Sequence, residues 1–112
     1  MKAYTDLEQS KKLAEILPLE SADMYYPYDL DSCKVLNIPI VKDDYCIPCV
    51  HCWSLAALLS ILDFPALTQE KEDEWEVCIC DYDNDGYIEK IASNPVDACV
   101  ELIIKLKEQN LL

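Results

Sequence analysis

Apolar and polar residues alternate along this chain in two rhythms, and each predicts a different kind of element. Leu7, Leu13, Ala14, Ile16 and Leu17 recur near helical spacing, which predicts a first helix over residues 6–17. Thr5 with Glu8 three residues later reads as a capping box, and Pro18 closes the segment. Leu55, Ala56, Leu58, Leu59, Ile61 and Leu62 surround a second helix within 53–62, capped by Ser54 and expected to be deeply buried. Asn94-Pro95 opens a third, with Asn94 as cap, Pro95 at the first helical position and Asp97 near the positive end of the dipole. Its buried stripe is Val96, Cys99, Val100, Leu102, Ile103 and Leu106.

The second rhythm has period two. Trp75, Val77 and Ile79 alternate with Glu76, Cys78 and Cys80, and the run Tyr87 to Ala92 returns after Asp83-Asn84-Asp85-Gly86. That is a β-hairpin whose glycine is expected in the left-handed turn position. Met24–Tyr28 and Lys34–Val41 are strand-like, but Pro27 and Pro39 confine them to edges or irregular strands. Thr68–Glu76 is read only as an acidic stretch. The expected fold class is α+β: a small antiparallel sheet, made of the C-terminal hairpin plus one or two irregular strands, packed against about three helices. At 112 residues a single compact domain over 1–112 is the expectation.

Composition narrows the chemistry. The 22 acids and nine lysines give a net charge of -13, with no arginine, one glycine and one histidine. Nonspecific binding of nucleic acid or anionic membrane needs cations near phosphate, so neither is expected. One glycine rules out a glycine-rich phosphate loop, and one histidine rules out a histidine metal triad. Residues 1–20 are too charged for a signal peptide, and Cys46–Leu62 is too short and broken to span a bilayer. The expectation is a cytoplasmic protein whose seven cysteines are thiols or metal ligands.

Four features carry candidate chemistry. Asp81-Tyr82-Asp83-Asn84-Asp85-Gly86 matches the opening of a calcium loop, but position 12 is Ala92 rather than a carboxylate and the flanks read as strands. A plain turn explains the same residues. Cys46, Cys49, His51 and Cys52 fall within seven residues and form a candidate zinc set, with Cys33, Cys78 and Cys80 as more distant donors. Buried or incidental thiols are the competing reading. Cys46-x-x-Cys49 is also a candidate redox pair, and Cys52, nearer the helix start, is the thiol expected to be more acidic. Residues 66–90 hold nine acids and two lysines, a local charge of -7. Such a run serves as a solvated face, an acidic docking patch, or a mimic of DNA aimed at a basic protein groove.

Residues 1–24, Met1-Lys2-Ala3-Tyr4-Thr5-Asp6-Leu7 through Asp23-Met24, resemble the N-terminus of a family of small uncharacterised proteins from gut anaerobes and their mobile elements. Trp53-Ser54-Leu55-Ala56-Ala57-Leu58-Leu59 and Asn94-Pro95-Val96-Asp97-Ala98-Cys99 are similar to two further segments of it. The three cover about a third of the chain. The resemblance implies a cytoplasmic protein and supplies no catalytic residue. The functional expectation is therefore a non-enzymatic protein-binding or accessory module with an unidentified protein partner. A structural zinc domain and a DNA-mimic inhibitor are the alternatives. Homodimerisation through a sheet edge or the Tyr25, Tyr26, Tyr28 cluster stays open.

Overall fold

Helix starts in this chain are set by short polar side chains that catch the first free amides. In the computed structural model, which describes residues 1–42, 50–81 and 85–112, α1 spans Leu7–Ala14. Its cap is Asp6 rather than Thr5: Asp6 Oδ1 accepts the Gln9 amide at 2.8 Å, and Gln9 Oε1 accepts the Asp6 amide at 3.1 Å. The capping box thus lies one residue later than expected, because the Thr5 hydroxyl is committed elsewhere. The second helix, α2 (Leu55–Ile61), is capped by Ser54 as expected. It is less deeply buried than its composition suggested. Ala57 and Leu58 are enclosed, but Leu55, Leu59 and Ile61 are only half-buried. The last helix, α3 (Pro95–Glu108), has Asn94 as cap and Pro95 at its start. All six residues of its anticipated stripe are buried.

Among the described residues, eight short strands form three antiparallel groups. β1 (Met24–Tyr26) is flanked by β4 (Ile40–Val41) and β5 (Val50–Cys52). β2 (Tyr28–Asp29) and β3 (Lys34–Val35) form a two-stranded pair. β6 (Ala66–Lys71), β7 (Glu74–Asp81) and β8 (Gly86–Ala92) make the third sheet in that order. The fold is α+β. Pro27 did not push its segment to an edge: β1 is the central strand, and it ends one residue before the proline. Sequence reasoning assigned no element to β6, since Thr68, Gln69 and Glu70 carry no apolar alternation that marks a strand.

The β7–β8 hairpin has the expected register, with Ile79 opposite Ile88 and Asp81 opposite Gly86. Its turn differs. Asp85, not Gly86, has the positive φ of 57°, and Gly86 is the first residue of β8. Aspartate tolerates the left-handed region better than most residues, so the glycine is not required there. The main core joins α3, one face of this sheet, α2 and the end of the α1 segment: Leu13, Trp53, Leu58, Val77, Val96, Leu102 and Ile103 are fully enclosed.

Candidate functional site

The candidate residues sort by what surrounds them. Thr5 bridges the N-terminal segment to the end of β5 and is completely buried. Its amide donates to the Trp53 carbonyl at 2.9 Å, and its hydroxyl accepts the Trp53 amide at 3.1 Å. Thr5 Oγ1 also lies 2.7 Å from Ser10 Oγ and 3.5 Å from Cys52 Sγ. The Thr5 carbonyl accepts from Tyr26 Oη at 2.7 Å and from the Cys52 thiol at 3.4 Å. Here a buried polar knot satisfies every member it gathers, which is what such groups need when removed from water.

Cys52 belongs to this knot and has no accessible surface. Burial pushes its thiol pKa up, against the hydrogen bonds from Thr5 and Ser10. The expectation of an acidic Cys52 is therefore overturned. It sits on a strand before the Ser54 cap, so it gains nothing from the dipole of α2. His51 precedes it on β5, and adjacent strand residues point to opposite faces. The buried His51 Nδ1 has no hydrogen-bond partner among the described residues. Burial, and then the charge of Lys42, hold its pKa below the usual histidine range. Cys46 and Cys49 lie outside the described residues, as do Tyr82, Asp83 and Asn84 of the calcium-like loop.

The remaining described thiols are dispersed. Cys33 is exposed in the β2–β3 turn with φ 57°. Cys99 is buried in α3, where desolvation pushes its pKa up to about 12. Cys78 and Cys80 share the outward face of β7, and burial followed by the charges of Glu76 and Glu89 raises the Cys78 pKa. Among the described residues no three histidine, cysteine or acidic side chains are grouped to hold a metal ion. Asp81 and Gly86 pair in the ladder, so the calcium-like loop is flanked by strands rather than helices.

A second polar cluster ties the ends of the chain together. Lys2 Nζ reaches Asp6 at 3.0 Å and Asp97 at 2.8 Å, while Gln9 Nε2 and Asn94 Nδ2 each donate to Asp97 at 2.8 Å. Partial burial alone would raise the Asp97 pKa, but hydrogen bonds from Lys2, Gln9 and Asn94 outweigh it and hold the carboxyl low. The balance at Lys2 runs the other way: burial would lower its pKa, and Asp97 and Asp6 raise it. Both acids lie at helix starts, where negative charge is favoured. This cluster is an architectural clamp.

The most unusual surface is apolar. Leu30, Ile38 and Val41 are 84%, 73% and 71% exposed, and Tyr28, Leu36 and Ile40 are exposed beside them in sequence. Two acids and two lysines between Tyr28 and Lys42 cancel, so this apolar segment is electroneutral on a chain of net charge -13. Sequence reasoning placed Leu36, Ile38, Ile40 and Val41 in an edge or irregular strand. β2, β3 and β4 have two residues each, and among the described residues these apolar side chains stay exposed around them. Of the tyrosines considered for a dimer contact, Tyr25 and Tyr26 are buried and only Tyr28 faces out.

Among the described residues no helix is long and apolar enough to cross a membrane. The chain matches no family model, no curated protein and no solved structure.

Proposed function

We propose that this protein is a non-enzymatic binding or accessory module that acts through protein contacts, with the segment 28–41 as its principal contact surface. The observation that carries this reading is the run of exposed Leu30, Leu36, Ile38, Ile40 and Val41, within residues 28–42 that carry no net charge. Exposed apolar residues gathered in one region mark interaction sites far more often than apolar residues scattered singly. The raised pKa values and burial of Cys52 and Cys99 support the non-enzymatic part, since a protonated, enclosed thiol is a poor nucleophile. Free thiols at Cys33, Cys78 and Cys80 suit a reducing, cytoplasmic setting. Membership of the family resembled by the N-terminal, Trp53–Leu59 and Asn94–Cys99 segments is part of the same proposal.

The test compares the wild-type chain with a Leu30→Ser, Ile38→Ser, Val41→Ser variant as bait in cross-linking at cellular concentration. The expected result is a reproducible protein partner that the variant loses while keeping its native circular dichroism. Recovery of the same proteins by both baits, or of none by the wild type, overturns the proposal.

A further inference from the structure

The β6-β7-β8 sheet has two faces, and α3 packs on only one of them, over Val77, Ile79 and Ile88. Outward on the other face, Tyr87 stands opposite Cys80, Glu89 opposite Cys78, and Ile91 opposite Glu76. Tyr87 is 72% exposed and Ile91 half exposed. Thr68 lies across from Glu76 on β6, and Glu70 beyond it interacts with the same carboxyl. Three carboxylates, Glu70, Glu76 and Glu89, thus converge beside two large apolar side chains.

No lysine of this sheet neutralises them. Lys71, at the tip of the β6–β7 hairpin, faces Glu74 at 3.9 Å. Lys90 stands opposite Val77, on the α3 side. Like charges on neighbouring strand positions oppose pairing, and the hydrogen-bonded contact with Glu89 is the leading cause that raises the Glu76 pKa. A solvated acidic face would keep the sheet soluble without Tyr87 and Ile91 exposed among the acids. The combination matches an amphipathic cation, whose methylene stem packs on apolar surface while its charged end meets carboxylate.

We propose that this outward face binds an extended lysine- or arginine-bearing segment of another protein, with Glu70, Glu76 and Glu89 pairing its cations and Tyr87 and Ile91 packing its side-chain stems. Charge complementarity selects this occupant. A nucleic acid or a second copy of this chain would bring further negative charge to three carboxylates already crowded together. The surface is separate from segment 28–41, so either proposal can fail while the other stands.

The cysteines supply the readout. Cys80 lies exposed on this face, and Cys33 is exposed on the separate β2–β3 hairpin. Maleimide labelling of each, resolved by peptide mass mapping, is followed while a synthetic peptide alternating arginine and valine is added. The expected result is slower labelling of Cys80 with Cys33 unchanged. Glu70→Gln, Glu76→Gln, Glu89→Gln together should weaken that protection about tenfold, on a scale where each exposed ion pair is worth up to a fewfold. A charge-matched variant elsewhere, Glu15→Gln, Glu101→Gln, Glu108→Gln, should leave it within about twofold, as distant exposed charges act only through a screened field. Equal slowing at both cysteines, equal loss in both variants, or protection of Cys80 by self-association without peptide overturns the proposal.

Discussion

The two three-stranded sheets of this protein hold their register by different means. In β6-β7-β8 the strands run six to eight residues, and apolar Val77, Ile79 and Ile88 fall on one face under α3. A one-residue slip would turn that whole set to solvent, so hydrophobic burial fixes the pairing. In β4-β1-β5 the strands have only two or three residues. Too few side chains alternate there to define a register. Instead, hydrogen bonds to groups outside the sheet pin it: Tyr26 and Cys52 donate to the Thr5 carbonyl, and the Ser54 amide (2.9 Å) and hydroxyl donate to the Asp23 carboxylate. The lesson is that short strands borrow specificity from directional polar contacts, whereas longer ones carry it in their own pattern.

The largest expected effect breaks the burial-fixed half. Ile103→Ala removes a fully enclosed side chain from α3 and should cost about 2–5 kcal/mol, read as a lower urea midpoint for the whole chain. Thr5→Val tests the other half. It keeps shape but leaves the Trp53 amide without its acceptor and removes one hydrogen bond from Ser10 and from Cys52, and should cost about 1–3 kcal/mol. Hydrogen exchange locates the loss: protection should fall first in β1 and β5 and persist in β7 and β8. Uniform loss across both sheets would erase the distinction. Asn94→Ala sharpens it from the helix side, because Asn94 both caps the Asp97 amide at 2.9 Å and holds its carboxylate. About 1 kcal/mol is expected, seen in thermal unfolding as a lower midpoint with an unchanged folded spectrum.

The smallest effects are titrations. His51 resists protonation when folded, so the unfolded chain takes the proton first and stability declines as pH falls below about 6.5. His51→Gln should flatten that part of the profile. Asp6 and Asp97, held low, contribute stability that is present above the ordinary carboxylate range and lost as pH falls through their lowered values. Lys2→Met should shrink that acid-side loss. Glu76 has the opposite sign, since its raised carboxyl binds a proton more readily when folded and its contribution improves as pH falls. Urea midpoints at low salt from pH 3 to 8 would separate the three, and a Lys2→Met profile that follows the wild type would remove the clamp.

Much of the C-terminal half was legible in advance. Asn94-Pro95, the α3 stripe and the Trp75–Ala92 alternation each encode an element locally, within a few residues. The cap of α1 was misplaced because Thr5 and Asp6 are both good caps, and the choice rests on Trp53, nearly fifty residues away. The acidity assigned to Cys52 failed for the same kind of reason. Distance from a helix start is written in sequence, but enclosure by Thr5, Ser10 and Tyr26 is not. The exposed segment 28–41 was hidden by its own composition, since an apolar residue reads alike whether or not anything comes to cover it.

Composition and period alone therefore determined the α+β class, the β7–β8 hairpin, the start and buried stripe of α3, and the absence of a glycine-rich phosphate loop. Those properties depend on local backbone preference and on which residue types exist in the chain. Tertiary structure decided that β1 is central, that Cys52 is enclosed with its thiol pKa raised, that Lys2 bridges two helix starts, and that carboxylates and aromatic surface meet on the sheet face away from α3. Each of these is a juxtaposition of distant residues, and only the folded chain's packing brings them within the few ångströms at which desolvation and charge act.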